Sequence, residues 1–373
     1  MTIPESSIES PPLELHVLGA GIGESIVLKL PDGRWGVVDC YNASPTDRDA
    51  NATTLFLRGR GVTKLFFVCL THPHDDHFLG MVELIKEFQP EEFWRFGCLS
   101  HEYIRNLILY NQLIAARSAD DALSRSAAEL LKLFAVARDG AKEGKMTVCR
   151  LNSRTNPYPN RTDKDSTFQI ECLSPTGRQI ELYEAAIIDC VGRDGKIAKK
   201  LPRSIHNEIS VVLKITYGET KIILGGDLEK QGWRDVVVEV GGSNLQASAI
   251  KVSHHGSDNG YCDGLWERFS ASGSPIAVVA PRLRNGLPTS KALTHICRHA
   301  KKIYSTFPPK DKWNPPQSIT EIKDASLDSR LAIRECFKAR PDWIGGDCGR
   351  CGIIFDESKL IEVQLDNPAQ KIF

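Results

Sequence analysis

Residues 65–80, LFFVCLTHPHDDHFLG, constrain the fold of this chain more than any other stretch. An apolar run typical of a buried strand ends in three histidines and two aspartates, and a helical pattern follows. The whole chain has only ten histidines in 373 residues. Ligand-type side chains clustered at a strand end predict a sheet with a metal site at its edge and helices packed outside it.

The clustered side chains form an H-x-H-x-D-H motif of His72, His74, Asp76 and His77. Imidazole nitrogens and carboxylate oxygens are the ligands that borderline divalent ions such as zinc accept. Side chains two apart in an extended segment point the same way, so His72 and His74 can share one ion. Asp76 and His77 follow where the chain turns and can serve a second ion. The alternative is a histidine-rich surface loop, but the pattern is specific among short motifs.

Two further segments resemble the first, because each places ligand-type residues directly after an apolar strand. Asp227 ends KIILGGD, where two glycines allow a close backbone approach, and His254 lies in IKVSHHGS. Asp227 could instead cap the following helix, and His254 could be a core histidine. Four ligands close in sequence cannot complete two ions, so we expect the fold to bring these residues to the motif.

The order strand–HxHxDH, strand–GD, strand–H resembles the metallo-β-lactamase superfamily of dinuclear metallohydrolases. More narrowly, HVLGAGIGESIVLKLPDGRWGVVDC, HNEISVVLKITYGETKIILGGDLE and IKVSHHGS resemble the hydrolase domain of ComEC-type DNA-uptake competence proteins and their free-standing soluble relatives. The resemblance implies an α/β protein with an αββα sandwich, in which two sheets lie back to back with helices outside. We expect a single domain, 1–373, with a helical insertion at 100–142 and an irregular insertion at 307–347 before a C-terminal hairpin.

The resemblance also implies two sets of metal ligands that share one residue: His72 and His74 for the first ion, Asp76, His77 and His254 for the second, and Asp227 between them. The remaining family ligand lies upstream of the bridging aspartate. His206 or Asn207 could fill that place, or neither, because ComEC-like relatives often carry asparagine near this point. Asp39, which closes the strand GVVDC, resembles the family's aspartate below the metals.

Two divalent ions, zinc or manganese, lower the pKa of a water between them and polarise the bond under attack. Asp76 is expected to orient that water, and His255 to donate a hydrogen bond to the oxyanion or the leaving group. Ser257 could add a hydroxyl donor, and cations near the site would hold phosphates, which predicts the substrate-binding residues Lys200, Arg203 and Arg282. The alternatives are a turn-forming serine and solvated basic loops.

These features predict a dinuclear phosphodiesterase that acts on nucleic acid or a nucleotide. The alternatives are a thioester or lactone hydrolase on the same fold, and a partner-binding member of a larger complex. Lys plus Arg equals Asp plus Glu at 47 each, so any surface that attracts nucleic acid must be local. A homodimer or a larger complex is left open.

The remaining composition predicts a cytoplasmic protein without a membrane partner. The chain has no apolar run as long as a membrane span, and its N-terminus, MTIPESSIESPPLE, is acidic and polar. Eleven scattered cysteines favour reduced thiols. Cys348 and Cys351 form a lone CxxC, which is a weak signal for structural zinc because such sites need four ligands.

Overall fold

The computed structural model describes residues 11–42, 50–97, 107, 109–113, 116, 121–158, 167–191, 196–199, 201–202, 204–316, 334–338 and 348–373. Its strands are β1 Leu13–Gly19, β2 Glu24–Lys29, β3 Trp35–Val38, β4 Phe67–Leu70, β5 Glu92–Phe96, β6 Thr147–Leu151, β7 Phe168–Ser174, β8 Val212–Tyr217, β9 Thr220–Leu224, β10 Ala249–Lys251, β11 Ile276–Val279, β12 Lys302–Ser305, β13 Arg334–Lys338, β14 Gly349–Phe355, β15 Leu360–Asp366 and β16 Gln370–Lys371. Its α-helices are α1 Ala52–Gly59, α2 Asp75–Phe78, α3 Met81–Phe88, α4 Asp121–Lys142, α5 Gly177–Cys190, α6 Ser204–Asn207, α7 Lys230–Val240, α8 Leu265–Phe269 and α9 Ser290–Ile296.

The strands form two sheets. The nine-stranded sheet has the order β13-β15-β14-β1-β2-β3-β4-β5-β6, and the seven-stranded sheet has the order β16-β12-β11-β10-β9-β8-β7. Strands β3 to β6 pair in parallel, as do β9 to β12. Because parallel strands end at the same edge of a sheet, the loops after β9 and β10 leave one edge of the second sheet, where the loop after β4 of the first sheet can meet them.

Two apolar cores hold these layers together. The larger joins residues of both sheets, and the smaller lies between the second sheet and the helices α7, α8 and α9. Strand β10 shows the alternation that this requires, since Ala249 belongs to the larger core and Ile250 to the smaller one. The predicted αββα sandwich is therefore confirmed.

Strands β8 and β9 form a hairpin, and the C-terminal hairpin β14–β15 forms as expected, with β14 extending the first sheet by pairing with β1. Strands β5, β13 and β16 and helices α5 and α6 were missed, and β13 lies within the segment expected to be irregular. The predicted helical insertion is described in part, through α4, and most of 307–347 lies outside the described residues. Within the described residues, no helix combines the length and the apolar character needed to cross a membrane.

Candidate metal centre

The site is built where three strands end. The loop after β4 carries the H-x-H-x-D-H motif, and the single-turn helix α2 follows it. Asp227 follows β9, and a 3-10 turn, Ser253–Gly256, follows β10. The glycines before Asp227 allow close packing, because a Cβ at Gly225 would lie 2.1 Å from the Ser253 hydroxyl oxygen. The predicted convergence of distant segments on the motif is what the structure shows.

Two of the three groups of ligand-type side chains share Asp227, and the third consists of Glu24, Asp39 and His77. The first-ion group is His72, His74 and Asp227, and the second-ion group is Asp76, His77, Asp227 and His255. Within each group the candidate ligand atoms lie within 4.8 Å of one another. The Nε2 atoms of His77 and His255 each lie 3.4 Å from Asp227 Oδ2. One carboxylate between two such groups is an arrangement suited to a pair of cations.

Asp39 orients a histidine of each group from below. His77 donates its Nδ1–H to Asp39 Oδ2 over 2.7 Å. The Thr71 hydroxyl donates to the same oxygen over 2.7 Å, so its own oxygen can accept the Nδ1–H of His72 at 3.0 Å. With Nδ1 occupied, both rings direct Nε2 towards Asp227, which is the tautomer a ligand needs. The expected position of Asp39 below the site is observed, and Thr71 is an addition.

Buried polar atoms without hydrogen-bond partners show that a cation fits this site. Both carboxylate oxygens of Asp227, Oδ1 of Asp76 and Nε2 of His77 are buried and make no hydrogen bond. Leaving such atoms unpaired is costly, and a bound ion would satisfy all four. The donor set of imidazoles and carboxylates matches zinc or manganese in type.

The electrostatics of the site point the same way. Burial alone would lower the pKa of His77 and His255, but the nearby carboxylates, Asp227 foremost, together outweigh it. The pKa of His77 is held well above its ordinary value, and that of His255 is raised to about 9. Burial lowers the pKa of His72 well below its ordinary value and that of His74 to about 4. Protons on His77 and His255 thus balance Asp227 with the charge that an ion would supply.

The structure exchanges the expected places of His254 and His255. His255, expected as a hydrogen-bond donor, joins the second-ion group, and its Nδ1–H donates to Ala280 O over 2.8 Å. His254, expected as a ligand, lies outside both groups, with its ring nitrogens 3.1 Å from Asn259 Oδ1 and 3.4 Å from Asn207 Nδ2. Both histidines have left-handed backbones, with φ of 47° and 55°. This rare conformation in two successive residues reverses which side chain faces the site.

His206 lies beside the first-ion group but is not a member of it. Its ring packs edge-on against His74, with centroids 5.4 Å apart. Its Nδ1 and the Tyr183 hydroxyl form a 2.7 Å hydrogen bond, so a ligand role would use Nε2. Asn207 instead donates to Glu229 over 2.7 Å. Of the two alternatives, His206 is the one beside His74, and Tyr183 is a partner that the sequence did not reveal.

The four expected substrate-binding residues have different outcomes. Arg282 reaches the site, with its guanidinium 2.9 Å from Asp76 Oδ2 and 3.7 Å from Asp75 Oδ1. The Ser257 hydroxyl donates to Asn259 over 2.6 Å, as a turn serine does. Lys200 and Arg203 lie outside the described residues. Among the described residues, no potential metal-binding group includes the cysteine pair of the CxxC.

Comparison with known proteins agrees with this geometry. Residues 18–95 match the family described as the metallo-beta-lactamase superfamily. ComE operon protein 3 of Bacillus subtilis (strain 168) is 23% identical over 309 residues, covering 79% of this chain and 32% of the relative. The chain therefore spans about a third of the length of the curated relative it matches.

Solved structures show more distant likenesses. A CmlA beta-hydroxylase mutant aligns with a TM-score of 0.37 and 12% identity, over 79% of this chain and 51% of that one. A diphosphatase of the PhnP family aligns with a TM-score of 0.34 and 8% identity, over 72% of this chain and 85% of that one. Likenesses this weak carry no information about the reaction.

Residues 18–95, which contain the H-x-H-x-D-H motif, thus resemble the metallo-β-lactamase superfamily, and the chain carries candidate metal-binding residues. The chain is also similar to ComE operon protein 3, in agreement with the expected resemblance to ComEC-type proteins.

Proposed function

We propose that this protein is a dinuclear metal-dependent phosphodiesterase whose substrate is nucleic acid or a nucleotide. The observation that carries the proposal is a cationic side chain, Arg282, beside two ligand groups that share Asp227. The resemblance to the hydrolase domain of DNA-uptake proteins favours the same substrate class.

The first-ion and second-ion groups would hold two zinc or manganese ions. When bound, such a pair supplies Lewis-acid chemistry and makes a water reactive near neutral pH. Asp227 would bridge the ions, and His255 takes the ligand place that the sequence assigned to His254. Asp76 lies between His255 Nε2 at 3.2 Å and Arg282 at 2.9 Å, so it can both bind and orient.

Arg282 supplies the argument for a phosphate. Its side chain is 16% exposed, so it is largely desolvated but still reaches solvent. A guanidinium there pairs well with a phosphodiester oxygen, because its donors match the geometry of phosphate. A neutral ester or a lactam has no charge for it to pair with. The position of this cation therefore favours phosphodiesters over thioesters and lactones.

The test compares purified protein on three substrates: bis-p-nitrophenyl phosphate, single-stranded DNA and a thioester. We expect phosphodiester turnover that is abolished by Asp227→Ala. Arg282→Met should lower kcat/KM for the phosphodiesters by about 10–100-fold, since a hydrogen bond to a charged group contributes ~1.5–3 kcal/mol. Arg282→Lys should retain part of the activity.

Arg284→Met is the matched control, because Arg284 is exposed in the same turn, Leu283–Asn285. It should leave turnover unchanged. Turnover of the thioester alone would overturn the proposal in favour of the alternative hydrolase, and phosphodiester turnover that survives Asp227→Ala would mark a contaminant.

A further inference from the structure

An ion pair lies buried beneath the metal centre, and the proposed chemistry does not use it. The Lys251 ammonium donates a short hydrogen bond to Glu24 Oε1, and neither side chain is exposed to solvent. Lys251 is the last residue of β10 and Glu24 is the first residue of β2. The pair therefore joins the two sheets at the end that carries the site.

In both strands, the residues around this ion pair are apolar. Lys251 lies between Leu224 of β9 and Val278 of β11 and shares its face with Ala249, which packs in the larger core. Glu24 likewise lies two residues before Ile26, which belongs to the same core. Two charges thus replace the apolar contact that the pattern of both strands would place there.

Packing alone does not account for this replacement. Moving an ammonium and a carboxylate out of water is expensive, and a pair of apolar side chains of similar volume closes a core at least as well. The contacts of the two charges indicate what they do instead. Glu24 Oε2 lies 3.4 Å from His255 Nδ1, and Glu24 Oε1 lies 3.9 Å from His77 Nδ1.

Lys251 contacts the backbone next to Asp227, another member of the second-ion group. Its Nζ atom lies 3.4 Å from the carbonyl oxygen of Gly226, the residue before Asp227. Gly226 has a left-handed backbone, with φ of 51°, and its carbonyl also accepts the backbone N–H of His254. The Glu24–Lys251 pair therefore lies next to the rings of His77 and His255 and next to the peptide before Asp227.

We propose that Glu24 and Lys251 are positioning residues for the second ion. Glu24 places a negative charge beside the Nδ1 sides of His77 and His255, whose Nδ1–H groups donate to other acceptors, and Lys251 balances that charge and fixes the peptide before Asp227. The inference rests on the metal-binding part of the proposed function and not on the substrate. It predicts that losing the pair weakens binding of the second ion while the first-ion histidines, His72 and His74, keep theirs.

The experiment measures stepwise zinc affinities by competition with a chelator, together with the visible spectrum of the cobalt-substituted protein. The variants are Lys251→Met, Glu24→Gln and the uncharged double variant with both changes. Each should lower the second affinity by about 10–100-fold, the usual effect of losing a partner of a metal ligand, and should alter the cobalt spectrum. The first affinity should fall by at most about threefold, because Asp227 is the only member of the first-ion group that the pair supports.

The double variant separates positioning from stability. Removing both charges leaves no buried charge unpaired, so thermal stability should recover relative to the single variants. Second-ion affinity should not recover. A double variant with wild-type affinity for both ions would show a purely structural pair and overturn the inference. Should a single variant fail to fold, Glu24→Asp keeps the charge, and wild-type affinities in that variant would overturn the inference as well.

Lys214 and Glu171 provide the matched control. They form a 3.0 Å ion pair between the neighbouring strands β7 and β8 of one sheet. Lys214→Met with Glu171→Gln should leave both affinities unchanged. A wild-type protein that binds fewer than two ions would overturn the proposed function as well, whereas two ions bound equally well by the wild type and the double variant would overturn only this inference.

Discussion

Asp39→Asn tests how the site imposes the tautomers of its histidines. Asp39 is fully buried and adopts a left-handed backbone with φ of 58°, which asparagine tolerates. The substitution therefore keeps volume and backbone and changes only the chemistry. One carboxylate oxygen accepts hydrogen bonds from both His77 and Thr71 at 2.7 Å. An amide NH₂ in that place would confront the Nδ1–H of His77 with another donor.

The size of the effect follows from these contacts. Loss of an oriented partner of a metal-binding histidine lowers affinity by about 10–100-fold. Asp39 supports His77 directly and His72 through Thr71, so one substitution affects both groups. We expect each stepwise affinity to fall by that factor, and the product of the two affinities to fall by about 10²–10⁴, or ~3–5 kcal/mol.

The assay is chelator competition with zinc, with thermal unfolding recorded for each variant. Asp32→Asn is the control, because Asp32 pairs with Arg34 in the exposed turn between β2 and β3 and lies 2.7 Å from that guanidinium. It should bind both ions as the wild type does. An Asp39→Asn protein that folds and binds both ions with wild-type affinity would refute the proposed orientation of the histidines.

Three further predictions follow from single contacts or pKa values. Tyr183→Phe removes the 2.7 Å hydrogen bond to His206 and should weaken first-ion binding by about threefold to tenfold; unchanged binding would exclude His206 as a ligand. Because the pKa values of His77 and His255 are raised, bound ions must displace the protons of these histidines, so metal affinity should fall as pH falls. Binding of a pair of ions should release ~2 protons near pH 7. Calorimetry in buffers of different ionisation enthalpy measures this release, and zero release would contradict the prediction. Burial lowers the pKa of His16 from 6.5 to about 4, so acidification through this range protonates the unfolded chain first. The free energy of unfolding should therefore fall by at most ~3 kcal/mol over this range. Urea titrations should show this dependence on pH in the wild type and lose it in His16→Asn.

The core of the site was predictable because its signals are local. The H-x-H-x-D-H motif and Asp227 each follow a run of apolar residues, so each could be recognised from its own segment. The fold class followed from the same runs together with the resemblance. Neither step required knowledge of contacts between distant residues.

The choice between His254 and His255 was not predictable in this way. Alternation along a strand says that neighbours point in opposite directions, but not which one faces the site after the strand ends. That choice depends on two successive left-handed residues, a conformation rare outside glycine. The resemblance assigned the ligand place to His254, whereas the backbone turn brings His255 into the second-ion group.

The missed elements have different reasons. Helix α5 carries a capping box, in which Thr176 and Gln179 exchange hydrogen bonds, and this T-x-x-Q signal was available in the sequence. Strand β5, EFWRF, is short and almost wholly buried, so it shows no alternation. The Glu24–Lys251 pair joins residues 227 positions apart, and only the folded structure brings them together.

The most direct test of the metal centre is anomalous diffraction from crystals grown with zinc or manganese, with data collected at the absorption edge. Two peaks should flank the Asp227 carboxylate, one beside His72 and His74 and the other beside Asp76, His77 and His255. A single peak, a peak contacted by His254 in place of His255, or no peak near Asp227 would contradict a pair of ions held in common by these strand ends.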